Sequence, residues 1–174
     1  MQRYEQKVIE SGTDFSTNPS PGNIKDGLIT DAMKSAGAAK KGGTSPVVDV
    51  LDYGEYLQNS GLNLLCTPGN DVESTTAMAG SGANLIIFTT GLGTPTGNPI
   101  TPVIKISSNT SVFKKMSDII DFNSGSVVEG NQTLESLSTQ LLDYIIQVAS
   151  GEIKTKSMEN RQYDFLPWKR DISL

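Results

Sequence analysis

"LNLLCTPGNDVESTTAMAGSGANLIIFTTGLGTPTGNP", residues 62–99, decides the fold class of this chain. Two apolar runs, LNLL and NLIIF, each end in a stretch of Thr, Gly, Pro and Asn. Between them lies DVESTTAMAGSG, opened by acidic and hydroxyl residues and closed by glycine. Short apolar runs bounded by turn residues read as buried strands, and the segment between them as a helix of small residues. Strand, helix and strand in succession predict parallel neighbours, which need a crossover connection.

The same rhythm continues downstream. VIKIS (103–107) reads as a third strand, NTSVFKKMSD (109–118) as a short helix capped by Asn109 or Thr110, and SGSVVEG (124–130) as a fourth short strand. In NQTLESLSTQLLDYIIQVASG (131–151), Leu134, Leu137, Leu141, Tyr144, Ile145 and Val148 recur at three and four. That spacing predicts the best helix of the chain, capped by Asn131 or Thr133 and stopped by Gly151. Upstream, GLITDAMKSAGAAKKGG (27–43) reads as a helix ended by Gly42-Gly43. TSPVVDVLDYGEYLQNSG (44–61) is ambiguous between strand and helix, and Ser45-Pro46 as cap and first turn favours helix.

The expected fold is therefore a Rossmann-like three-layer α/β domain, a mainly parallel sheet flanked by helices. Its expected bounds are 28–151. Residues 1–27, which contain NPSPGN, form an arm or linker, and 152–174 form a tail that packs on the domain through DFLPW (164–168).

Composition excludes several function classes. A net charge of −5 with only short basic clusters argues against nucleic acid. One cysteine, Cys66, rules out an internal disulfide framework and reads as a small buried hydrophobe. With no histidine, neither a zinc cage nor a Ser-His-Asp or Cys-His set can be assembled. No run of about 18 apolar residues suggests a membrane span. The polar N-terminus is not a signal peptide, so a cytoplasmic location is expected. GLGTPTG lacks the third glycine of a dinucleotide fingerprint, and no Walker lysine pattern is present.

Ligands of an open parallel sheet sit beyond the carboxyl ends of its strands. Those ends read TPGND (67–71), TTGLGTPTGNP (89–99) and SSNT (107–110), all hydroxyl-, amide- or glycine-bearing. The candidate substrate contacts are Asn70, Thr89, Thr90, Gly91, Gly93, Thr94, Ser108 and Asn109, suited to a small hydroxylated anion such as a sugar acid. Lys34 and Asp71 are the catalytic candidates, as general acid or base. Taken singly, each Thr, Ser or Asn reads first as a cap or turn residue, and it is the same character at three consecutive strand ends that favours binding. Asp71 and Glu73 with carbonyls and water offer a hard cation a place, but no metal ligand is assigned within the chain.

The motifs NPSPGN, KSAGAAKKGG, SPVVDVLDYGE, GLNLLCTPGND, FTTGLGTPTGNPITPVIKISSNT, DFNSG, VASGE and DFLPWKR occur in this order. In them the chain resembles the C-terminal part of the altronate/galactarate dehydratase family, from about Asn18 to Leu174, with the altronate branch preferred. The resemblance implies a hydro-lyase of sugar-acid catabolism that converts D-altronate to 2-dehydro-3-deoxy-D-gluconate. It also implies iron(II) in the full-length enzyme, with ligands outside this chain. The implied partners are a sugar-acid substrate and the family's N-terminal and central domains, or a partner subunit that carries them, with homo-oligomers left open. Many members carry arginine where Leu92 stands between Gly91 and Gly93. If that arginine grips a second carboxylate, Leu92 favours a monocarboxylic substrate over galactarate. The alternatives are a galactarate dehydratase, a sulfolactate sulfo-lyase subunit, or a non-catalytic binding or assembly module.

Overall fold

The structure, a computed structural model, describes residues 2–12, 25 and 30–168. The chain divides into two compact units, residues 1–50, 59–64 and 170–174 in the first and 51–58 and 65–169 in the second.

The first unit holds α1 (Gln2–Glu10), α2 (Asp31–Lys40) and nearly all of β1 (Val47–Leu51) and β2 (Leu62–Leu65), two strands hydrogen-bonded to each other. Thr30 caps α2 by accepting from the Met33 amide, as its sequence suggests. The described start of the expected arm is helical in α1, and NPSPGN lies outside the described residues. β1 corrects the helix expected over 44–61. Val47, Val48 and Val50 lose χ1 freedom in a helix, and β2 offers this segment a partner that local sequence cannot show. Asp49 adds a local brace, accepting from the Val50 amide and from Asn59 Nδ2 at 2.9 Å.

The second unit runs α3 (Asp71–Gly80), β3 (Ile86–Thr90), β4 (Val103–Ser107), α4 (Thr110–Lys115), β5 (Phe122–Asn123), α5 (Gly125–Val128), α6 (Leu134–Ala149) and α7 (Lys156–Glu159). Its sheet has the order β3-β4-β5 and is parallel throughout. Thr90 pairs with Ser107 and Ser107 with Asn123, so the carboxyl ends of the three strands form one line. The protein is thus an α/β fold with a parallel sheet flanked by helices, as expected, but β2, expected as the parallel neighbour of β3, pairs with β1 instead. SGSVVEG, expected as a strand, is instead the short helix α5, and the strand precedes it. Asn123 Oδ1 accepts from the Gly125 amide, turning the chain one residue after the sheet ends.

All five residues of β4 are buried, so both of its faces are covered. Alternation sends Ile104 and Ile106 to one side, where they pack with Val148, Leu141, Tyr144 and Ile145 of α6 and with Phe122. Val103, Lys105 and Ser107 take the other side. There the cover is polar: residues 94–97 of the β3–β4 connection and the segment around α7, whose Ser157 hydroxyl reaches the Val103 carbonyl. The β3–β4 connection, residues 91–102, contains no helix, so a loop itself forms the crossover.

DFLPW (164–168) meets the rest of the second unit through two backbone amides and the Trp168 ring. The Trp168 amide donates to the Tyr53 hydroxyl at 3.0 Å, with the two rings edge to face at 5.5 Å. Leu166 donates its amide to the Thr76 hydroxyl, while Phe165 and Leu166 keep their side chains exposed. Cys66 is only partly buried, less so than expected.

Candidate functional site

Nine of the ten sequence-derived site residues fall in the second unit. Lys34 is the exception, exposed on α2 of the first. Six of the nine lie in the loops after β2, β3 and β4, Thr89 and Thr90 end β3 and Asp71 opens α3, and two cross-connections join these segments. Thr94 Oγ1 donates to Asp71 Oδ2 at 3.0 Å, tying the second loop to the first. The Ser108 amide donates to the Thr90 carbonyl at 3.3 Å, tying the third to the second. Ser108 Oγ also lies 4.0 Å from where a Cβ on Gly91 would stand.

Several candidates carry structural duties as well. Asn70 caps α3, its Oδ1 accepting from the Val72 amide, and Asn109 caps α4 by accepting from Ser111 and Val112. Each cap engages Oδ1 and leaves the amide nitrogen out of it. Thr90 Oγ1 accepts from the Gly93 amide at 2.9 Å, so that amide is already committed. Gly93 itself has φ 91° and sits against Met116, whose sulfur would lie 2.5 Å from an added Cβ. The positive φ is what favours glycine here, since the end of the flexible Met116 side chain can shift. Thr89, Gly91 and Ser108 are exposed along the line of strand ends, and Asp71 is half-buried at the first turn of α3.

Thr94 and Thr96 are buried, and their hydroxyls hydrogen-bond at 2.8 Å. The Thr96 amide donates back to Thr94 Oγ1. Beneath them lies Lys105, fully buried at mid-strand. Its Nζ donates to the carbonyls of Pro95 (3.2 Å) and Thr96 (3.3 Å) and to Gln162 Oε1 (3.2 Å). Burial holds this ammonium below the ordinary lysine range, and Asp121 and Asp164 pull it back up. Burial also raises the Asp121 carboxyl, against the amides of Lys105 (2.7 Å) and Lys156 (2.6 Å), which donate to it. Burial first, and then Asp121, push Tyr144 up to about 12.

Sequence reading missed this layer, together with Asn123 and Ser124 at the third strand end. Ser124 donates its amide and its hydroxyl to the Ser107 carbonyl, at 2.8 and 3.0 Å. A two-residue strand carries no periodicity, so only the register of β5 beside β4 could have placed them. Asp71 and Glu73 do not form the cation pair considered above. Two residues apart on a helix, they point roughly 200° away from each other. Among the described residues no three Asp, Glu or Cys side chains converge.

Fold and site together define an α/β domain whose polar strand-end loops are joined into one set of hydroxyls, amides and a carboxylate. The chain matches the family described as D-galactarate/Altronate dehydratase, C-terminal, over residues 1–173, and it belongs to that family, a lyase family. It is 41% identical over 150 residues to the altronate dehydratase of Bacillus subtilis strain 168, covering 86% of this chain and 30% of that protein. It is 38% identical over 157 residues to the galactarate dehydratase (L-threo-forming) of Escherichia coli strain K12, covering 90% of this chain and 30% of that one. With the (2R)-sulfolactate sulfo-lyase subunit beta of Chromohalobacter salexigens it shares 35% over 152 residues, 86% of this chain and 39% of the relative. The chain therefore spans roughly a third of the length of these relatives. Among the described residues no helix is long and apolar enough to cross a membrane.

Proposed function

We propose that this chain is the C-terminal, substrate-binding domain of an altronate dehydratase, a hydro-lyase that converts D-altronate to 2-dehydro-3-deoxy-D-gluconate and water. What carries the reading is the linkage of three successive strand-end loops, through Thr94–Asp71 and Ser108–Thr90, in a chain of this family. A polyol acid needs many short hydrogen-bonding groups on one surface, and these loops supply hydroxyls, amides and a carboxylate.

In the reaction a base takes the proton from the carbon next to the carboxylate, and the resulting carbanion spreads onto that carboxylate as an enolate. The hydroxyl on the adjacent carbon then leaves with a proton as water, and the enol product tautomerises to the 2-keto-3-deoxy acid. Donors aimed at the carboxylate stabilise the enolate most when their positions are fixed beforehand. Asn70 Nδ2, Asn109 Nδ2 and the Ser108 hydroxyl stand in that role. Asp71, with one oxygen engaged by Thr94, orients a substrate hydroxyl or exchanges its proton.

The described residues do not fit iron(II) as a site of their own, since no three Asp, Glu or Cys side chains meet and the sequence has no histidine. Iron(II), if used by the complete enzyme, takes its ligands from other segments. Leu92 is 53% exposed between Gly91 and Gly93, leaving that tip without a cation for a second carboxylate, which favours altronate over galactarate.

The test is to assay the complete enzyme with D-altronate, galactarate and sulfolactate, and to titrate the same acids into the 174-residue chain. Turnover of altronate with saturable binding to the chain supports the proposal. Sulfite release would instead assign a sulfo-lyase, and tight self-association without any acid binding would assign an assembly module.

A further inference from the structure

Lys105 stands outside the candidate site, yet all three of its acceptors belong to segments that support it. Pro95 and Thr96 lie in the loop that carries Thr94, and Gln162 lies in the C-terminal segment beneath that loop. We propose that Lys105 is a positioning residue: its ammonium, clasped by the carbonyl oxygens of Pro95 and Thr96, holds residues 94–97 in the conformation that delivers the Thr94 hydroxyl to Asp71.

The geometry of consecutive peptide groups explains how. A peptide carbonyl and the following amide point in opposite directions. With the Pro95 and Thr96 carbonyls turned inward to Nζ, the amides of Thr96 and Gly97 must face away from it. They do so onto Thr94 Oγ1 (3.3 Å) and Asp164 Oδ2 (3.2 Å). Both peptide units are thus pinned at both ends. The pinned Thr96 in turn fixes Thr94, through its amide and its hydroxyl, and Thr94 reaches Asp71.

An apolar side chain would fill the same space on β4 at less desolvation cost, but it could not orient two carbonyls. A charged donor makes the stronger hydrogen bonds, and a buried one keeps its acceptors from choosing water instead. Gly97 closes the arrangement from the other side. It lies so close to the Gln162 carbonyl and the Ser157 side chain that no Cβ could be added without displacing backbone.

The proposal rests on the reading of Thr94 and Asp71 as substrate contacts, but the loop conformation can be tested without it. In the 174-residue chain, Lys105→Met should leave α6 protected while the Thr96 and Gly97 amides exchange about tenfold faster or more. In the complete enzyme, Lys105→Met should raise KM for D-altronate or lower kcat about ten- to a hundredfold at temperatures well below unfolding. The same substitution in a Thr94→Val background should then add less than about twofold, because its effect passes through Thr94. A merely structural lysine would give additive losses in that cycle. Unchanged exchange at both amides, or full additivity, would overturn the proposal. Should Lys105→Met not fold, Lys105→Gln, which keeps a neutral donor, takes its place in the same measurements. If the wild-type enzyme proves inactive on altronate, the functional reading fails while the exchange experiment still decides the role of Lys105.

Discussion

Thr94 and Asp71, 23 residues apart in sequence, meet through a 3.0 Å hydrogen bond that joins the loop after β3 to the first turn of α3. The hydroxyl is buried and the carboxylate half-buried, so the bond is shielded on one side and open to a ligand on the other. Replacing Asp71 by Ala in the complete enzyme should lower kcat/KM for the sugar acid while the melting temperature changes little, because Thr94 keeps Thr96 as a partner. Unchanged kinetics would take Asp71 out of the site. Thr94→Val should also cost about 1–2 kcal/mol of stability, read by denaturant unfolding, since it strips a buried network of its shared hydroxyl.

Gly97 is where the crossover loop and the C-terminal segment touch. Gly97→Ala has nowhere to put its methyl group and should destabilise the second unit by more than about 2 kcal/mol. Gly69→Ala is the control. Gly69 has open space around it and no left-handed backbone, so the change should stay within about 0.5 kcal/mol. Equal melting temperatures for the two variants would refute the packing at Gly97.

Arg161 is the one non-glycine residue with positive φ (55°) among the described residues. It ends α7 in a left-handed turn: Gln162 donates its amide to the Ser157 carbonyl and Arg161 donates to Met158. Glycine occupies such a position without the Cβ penalty, so Arg161→Gly should raise stability by about 0.5 kcal/mol or more. A loss in the melting temperature would mean that the arginine side chain contributes something the backbone does not reveal.

Tyr144 links stability to alkaline pH. Its phenol is raised from the usual 10.0 to about 12, by burial first and then by the nearby Asp121 carboxylate. A folded-state value above the unfolded one means the folded protein holds the proton more tightly. The associated stability is present in full below pH 10 and is lost as pH rises through about 12. Wild type should therefore lose stability relative to Tyr144→Phe across that window in urea titrations. Parallel pH profiles for the two would contradict the burial of this hydroxyl beside Asp121.

The parts of the fold that were legible in the sequence are those whose cause is local. Asn109 and Thr133 cap the helices they precede because a short polar side chain next to orphan amides suffices. β4 was legible because Val103, Ile104 and Ile106 make a short apolar run bounded by turn residues. β1 was not, since its valines and its Ser45-Pro46 opening suit either state and the choice falls to β2, its partner. Nor was the nature of Lys105, because a lysine in an apolar run looks the same whether it snorkels to water or meets carbonyls inside.

By itself the sequence determined the α/β class and the polar character of the strands' carboxyl ends, since apolar runs, caps and glycines act within a few residues of themselves. That β2 pairs with β1 and not with β3 was left to the tertiary structure. The tertiary structure decided which of those polar groups meet one another. Thr94 meets Asp71 because the helix-free crossover folds back over β4, and it does so where the Lys105 ammonium gives its carbonyls a partner away from water. A hydrogen bond between residues distant in the chain depends on the path of everything between them, and no local pattern encodes that path.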